Sequence, residues 1–188
     1  MRKVMLAISI IALVISFNGQ AQSYPNQPIR LVIPFAAGGP SDVLARGFSQ
    51  KLGESLGQPI IIDNKPGAGT NLAADFVAKS KADGYTIFLM MVGTQAINET
   101  LYKKLSYNTI KDFSPISLVA SSSLMLVANP SVPVKNVADL IAYSKANPGK
   151  INFGSSGTGT PLHLGGSYLT YKLVPPSIMS PIKVRHQL

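Results

Sequence analysis

The chain has 188 residues and no cysteine, with only two histidines and eight acidic residues. Without cysteine there is no disulfide framework, no thiolate metal site and no thiol nucleophile. The acidic residues are scattered, without the paired carboxylates that acid–base catalysis needs. No serine lies in a G-x-S-x-G elbow. Of the histidines, His163 near a helix start reads more readily as a packing or hydrogen-bonding residue than as a base. No enzyme activity, cofactor or metal is expected. Long apolar runs are also lacking after residue 17, so nothing there is expected to cross a membrane.

Basic residues outnumber acidic ones by 17 to 8. Setting aside Arg2 and Lys3 at the start and Lys172, Lys183 and Arg185 near the end leaves 12 against the same 8. Those 12 are spread singly, apart from Lys103-Lys104, with no basic stripe interleaved with aromatics. Nucleic-acid binding is therefore not expected, and a mildly basic body is compatible with an anionic ligand. Arg2 and Lys3, the apolar stretch Val4–Phe17 and the small residues around Ala21 have the order of a secretory signal. Residues 1–23 are accordingly read as a cleaved signal and the remainder as periplasmic.

The body alternates strand and helix patterns. Pro28–Phe35 is an apolar strand, followed by the turn Ala36–Pro40, with Ser41 expected to cap a helix. Leu44, Phe48, Leu52 and Leu56 recur every four residues and predict that helix's inner face, with its end near Gly57. Pro59–Asp63 is a second strand, Asn64–Asn71 a glycine-rich loop, Leu72–Lys81 a second helix and Tyr85–Met91 a third strand. The order implies a parallel, doubly wound α/β layer. Ile116–Pro130 reads as an extended segment crossing to a second lobe, and Asn136–Gly149 as a helix with Leu140, Ile141 and Tyr143 facing inward. A strand, a Gly/Ser loop and a helix start then span Lys150–Gly166.

Two loops share one design, a buried strand, a glycine-rich turn and a helix N-terminus: Pro34–Asp42 and Gly154–Leu164. Glycine allows close backbone approach, and the first-turn N–H groups of a helix are unpaired and partially positive. Such loops bind carboxylate or phosphate without Lys or Arg. Any βα loop also wants glycine and a cap, so each loop alone is ambiguous, and Asp42 reads as a cap as readily as a ligand contact. Two matched loops in different lobes point to a cleft. Thr94 and Gln95 follow the third strand and fall at the same sheet edge. Pro66–Gly69 is neither a P-loop nor a dinucleotide fingerprint.

Taken together, YPNQPIRLVIPFAAGGPSDVLAR, LGQPIIIDNKPGAGTNLAADFVAKSKADGYTIFL and the stretch from Leu101 to Gly166 resemble the tripartite tricarboxylate transporter (Bug) receptor family. The resemblance implies a fold like that of type II periplasmic binding proteins, two α/β lobes closing over a small carboxylate solute that is passed to a membrane permease. It implies a monomer. It carries ligand contacts onto Phe35, Ala36, Gly38, Gly39, Ser41 and Asp42 of the first loop, and onto Ser155, Gly157, Thr158, Gly159, Thr160 and His163 of the second. Ala37 stands where the family commonly has Pro, and Pro40 where it has Gly or Ser. Residues 24–123 would form lobe one, lacking its C-terminal return, and 124–166 a fragment of lobe two.

After Gly166 the resemblance read from the sequence stops. Residues 167–188 contain no acidic residue and hold Pro175, Pro176 and Pro181. Rereading that stretch with codons shifted by one base can encode a segment ending in HVPYKGSAPA, which the family has there. The tail is therefore expected to be out of frame, to lack a helical or strand period, and to leave the strand at Lys150–Phe153 with an open edge; the product is expected to be truncated, to express poorly and to bind no solute. The rival readings are an α/β enzyme using glycine-rich loops on an anionic substrate, and an exported sensor or interaction domain.

Overall fold

The computed structural model describes residues 23–173 and 179–183. The signal reading of residues 1–23 falls almost wholly outside them. Among the described residues no helix is long and apolar enough to cross a membrane.

Strand β1 (Ile29–Ile33) is the centre of a parallel three-stranded sheet, flanked by β2 (Ile60–Asn64) and β3 (Thr86–Phe88) in the order β2-β1-β3. Ile29 faces Ile60, and Leu31 pairs with both Ile62 and Ile87. Burial of Leu31, Val32 and Ile33 explains the unbroken apolar run, since a parallel strand is covered on both faces. Helix α1 (Pro40–Leu56) connects β1 to β2, and α2 (Asn71–Ala78) follows a 3₁₀ turn at Ala68–Thr70. These connections are the crossovers predicted from the β-α-β-α-β order, and the fold is the doubly wound α/β type expected.

Two details of α1 differ from the sequence reading. Its N-cap is Gly39 with Pro40 in the first turn, so Ser41 lies inside the helix. Proline prefers that first position because its absent N–H would have no partner there. The buried face is also displaced: Ala45 and Ser49 are buried, whereas Leu44 is 42 % exposed. Small residues let the helix lie close on the sheet, where Leu31, Ile33, Ala45 and Leu89 form the core with Phe35 and Phe48 against it. The helix ends where predicted, with Gly57 in the left-handed conformation.

After β3 the chain makes a π-helical turn at Gly93–Ile97 that runs into the short helix α3 (Asn98–Leu101). The segment 114–129 is exposed and has no regular secondary structure. Helix α4 (Val137–Ala146) is capped by Asn136, whose side chain accepts the Asp139 N–H. Leu140 is buried on its inner side, with Ile141 and Tyr143 half-buried. Strand β4 (Ile151–Ser155) and helix α5 (Pro161–Leu173) complete the pattern.

The 167–188 region departs from expectation in two respects. Helix α5 continues to Leu173, and strand β5 (Met179–Lys183) pairs in parallel with β4, Phe153 opposite Pro181. One edge of β4 is therefore covered. A backbone ladder asks little of side chains, and proline is tolerated on an outer strand. Residues 174–178 and 184–188 lie outside the described residues.

Ile33 is fully buried at the centre of the larger sheet. Ile33→Ala is expected to lower unfolding free energy by about 2–5 kcal/mol, read from urea denaturation of the whole chain.

Candidate functional site

The first loop leaves β1 at its C-terminal end, the edge at which parallel α/β sheets place ligands. Gly38 has φ +79, a conformation that other residues adopt only with strain, and the Gly39 N–H closes a turn on Ala36 O at 3.3 Å. The N–H groups of Asp42 and Val43 both reach Gly39 O at 3.0 Å, which starts α1.

Asp42 is only 2 % exposed and spends both carboxylate oxygens inside this loop. Oδ2 accepts the Gly38 N–H at 2.9 Å and Arg46 Nε at 2.9 Å. Oδ1 accepts Arg46 Nη2 at 3.1 Å and Asn64 Nδ2 at 3.1 Å. The Arg46 hydrogen bonds, then the Gly38 N–H, hold its pKa down at about 2 against an ordinary 3.8. Asn64, at the end of β2, also donates to Phe35 O at 3.0 Å, so one amide pins both ends of the loop. Phe35 is anchored against the core, whereas Ala37 and Gly38 are exposed. Arg46 and Asn64 were not singled out in the sequence. Arg46 had a signal, lying four residues after Asp42 on one helix face; Asn64 had none, being 22 residues from its partner.

The second loop repeats the design. Gly157 and Gly159 have φ +121 and +86. Thr160 is buried and caps α5: its hydroxyl donates to Gly157 O at 2.7 Å and accepts the His163 N–H at 3.4 Å. Pro161 takes the first helical position, where its missing N–H costs nothing. Ser155 is buried, and its hydroxyl lies 3.5 Å from the Gly157 N–H. Thr158 is exposed. The His163 ring stands 6.5 Å from Phe153 at 32°, and its buried Nδ1 has no hydrogen-bond partner among the described residues.

The Asn64–Asn71 loop reaches both of these loops, bonding the first through Asn64. Beyond Asn64 that loop packs Gly69 against Thr158, and Gly93 lies against Gly159. Thr94 is fully buried, its hydroxyl 2.6 Å from that of Thr70, while Gln95 is exposed. Thr94 thus belongs to the support beneath the edge. Thr70 itself has φ +79, strained for a β-branched residue, and such strain recurs at functional sites. A cavity of about 690 Å³ opens elsewhere, between α1 and β2, lined by Arg46, Gln50, Gly53 and Ile62 among others; none of the candidate loop residues lines it.

The profile of the tripartite tricarboxylate transporter family receptor matches residues 44–183. The chain belongs to that family. The match continues past Gly166, where the resemblance read from the sequence stopped. A UPF0065 protein of Bordetella pertussis is 41 % identical over 157 residues, covering 84 % of this chain and 48 % of its own. MatC from Rhodopseudomonas palustris, solved with bound malate, is 31 % identical with a TM-score of 0.79, covering 86 % of this chain and 54 % of its own. A second R. palustris protein, solved with adipate, is 32 % identical with a TM-score of 0.74 and covers 86 % and 53 %. The chain therefore has the α/β fold of Bug-type periplasmic binding proteins and spans about half the length of the curated relatives it matches.

Because the Asp42 pKa is depressed, the stability it contributes is complete above about 3.8 and is lost as pH falls towards 2. In urea titrations at pH 6 and pH 2.5, the parent chain is expected to lose more stability between the two than Asp42→Asn does. Equal losses would show that the carboxylate is not held by these donors.

Proposed function

We propose that this chain is the solute-binding part of a periplasmic receptor that captures a small organic carboxylate for the permease of a tripartite transporter. Residues 24–123 act as one lobe and 124–166 as part of the second, with the solute between the Phe35–Asp42 and Ser155–His163 loops. The observation that carries this is the matched pair of glycine turns, each delivering a helix N-terminus. Backbone amides and the hydroxyls of Ser41, Ser155 and Thr158 supply donors, Thr160 holds the second loop as its cap, and the helix ends supply partial positive charge. Binding, with no bond made or broken, is what such donors achieve alone; a hydrolase would need a base or metal to activate water. Relatives of the same fold solved with malate and adipate support a dicarboxylate as the solute class. Export by the signal at residues 1–23 and a monomeric state complete the reading.

Calorimetry with malate and adipate tests it. Gly39→Val brings bulk where even a Cβ would stand 3.3 Å from Ala36 O, and Thr160→Ala removes the cap of the second loop. Together they are expected to weaken binding roughly 10- to 100-fold, the loss of a charge-assisted hydrogen bond. Unchanged affinity in the double variant would reject the site.

A further inference from the structure

Three glycines meet across the boundary between the two sheets. Gly69 and Gly93 follow β2 and β3, and Gly159 lies between β4 and α5. A Cβ built on Gly93 would stand 2.8 Å from Gly159 O, with Pro161 Cδ at 3.5 Å and Thr160 Cα at 3.7 Å. All three neighbours belong to the second unit. A Cβ on Gly159 would stand 2.6 Å from Asn98 Oδ1, 3.1 Å from Leu101 Cδ2 and 3.5 Å from Tyr102 Cε2, all in the first unit. A Cβ on Gly69 would overlap Thr158 O. Gly93 is the decisive case. It sits in a helical turn without a positive φ, where alanine would be the better residue on backbone grounds. Its lack of a side chain is needed only because the other unit comes so near.

Two polar side chains stand behind this seam. Asn98 is 0 % exposed; its Nδ2 donates to Gly69 O at 3.0 Å and to Asn71 Oδ1 at 2.7 Å. Its Oδ1 faces Gly159, buried, without a hydrogen-bond partner among the described residues. The Tyr102 hydroxyl lies 3.2 Å from Thr158 O and 3.4 Å from Ala68 O, one acceptor in each unit. Contact between the units thus leaves one acceptor dry and adds one hydrogen bond. The two effects oppose each other.

We propose that Gly69, Gly93 and Gly159, with Asn98 and Tyr102, form a closure stop that sets how near the two lobes approach. It thereby fixes the span between the two anion-binding loops. Only the consequence for solute rests on the receptor reading above; the stop itself is testable without solute.

The absence of native cysteine makes site-specific labelling clean. Lys51→Cys and Lys145→Cys, both at exposed positions, place spin labels on the two units of the whole chain for pulsed dipolar distance measurement. Gly93→Ala is expected to shift the distance distribution to longer values. Gly47→Ala, whose new methyl meets nothing within 4 Å, is expected to leave it in place. Circular dichroism checks folding. If Gly93→Ala does not fold, Tyr102→Phe decides, since it adds no bulk and removes only the hydroxyl; a longer or broader distribution supports the stop. A distribution superimposable on the parent's in the folded variant would overturn it. Malate affinity is expected to fall about tenfold in Gly93→Ala. A parent chain that binds neither malate nor adipate, yet shows the distance shift, would remove the receptor reading and uphold the stop.

Discussion

The buried carboxylate of Asp42 is the interaction on which the first half of the molecule depends. It joins a loop amide, a helix side chain and the last residue of a neighbouring strand, so β1, α1 and β2 meet at one ionised group. A buried charge is tolerable only when paired and fully hydrogen-bonded. Four hydrogen bonds meet that demand here, two of them from Arg46, whose side chain is 57 % exposed and keeps part of its hydration. A carboxylate beneath this loop would oppose the proposed binding of an anion there if it were left unneutralised. Pairing with Arg46 removes that penalty and leaves the loop amides and the start of α1 as the local positive end.

Much of the fold was legible in the sequence because its signals are local. Apolar runs bounded by glycine and proline located β1, β2 and β3 to within a few residues, and Gly57 marked the end of α1. The inner face of α1 was read one residue away from its true position because leucine spacing was weighed above size. Ala45 and Ser49 face inward since a helix crossing a sheet at close range needs small residues there. Ser41 looked like a cap because its chemistry fits one, but Pro40 had already fixed the first turn. Both loops of the candidate site were legible for the same reason that the strands were. Their supports were not. Asn64, Asn98 and Tyr102 act on partners 22 to 56 residues away, a separation that no local pattern reports.

The second unit is held differently from the first. Two strands make a marginal sheet on their own. The β4–β5 pair gains support from α5, where Gly166 admits the Phe153 ring against the helix backbone, and the loop joining β4 to α5 rests on Gly69 and Gly93. The connection from the first unit, residues 114–129, lies exposed with Ile116, Leu118, Met125 and Val127 largely open to solvent. An exposed apolar segment of this kind is prone to pair with other chains. The two units come within contact distance where Gly69 and Gly93 approach Thr158 and Gly159.

What sits at that edge is polar, and this has a physical reason. Asn71 Oδ1 accepts from both Asn98 and Tyr107, the latter at 2.5 Å, and Thr70 meets Thr94 beside them. Burial pushes the Tyr107 hydroxyl above its ordinary pKa. An apolar filling of the same volume could slide, because dispersion has little directional preference. Hydrogen bonds with fixed donors and acceptors tie each loop to one position, and the hydroxyl of Thr70, whose backbone is strained, lies against that of Thr94. A surface that must meet another surface at backbone-to-backbone distance, without side chains to absorb error, needs that kind of support. The polar network below the glycines is what allows them to approach so closely.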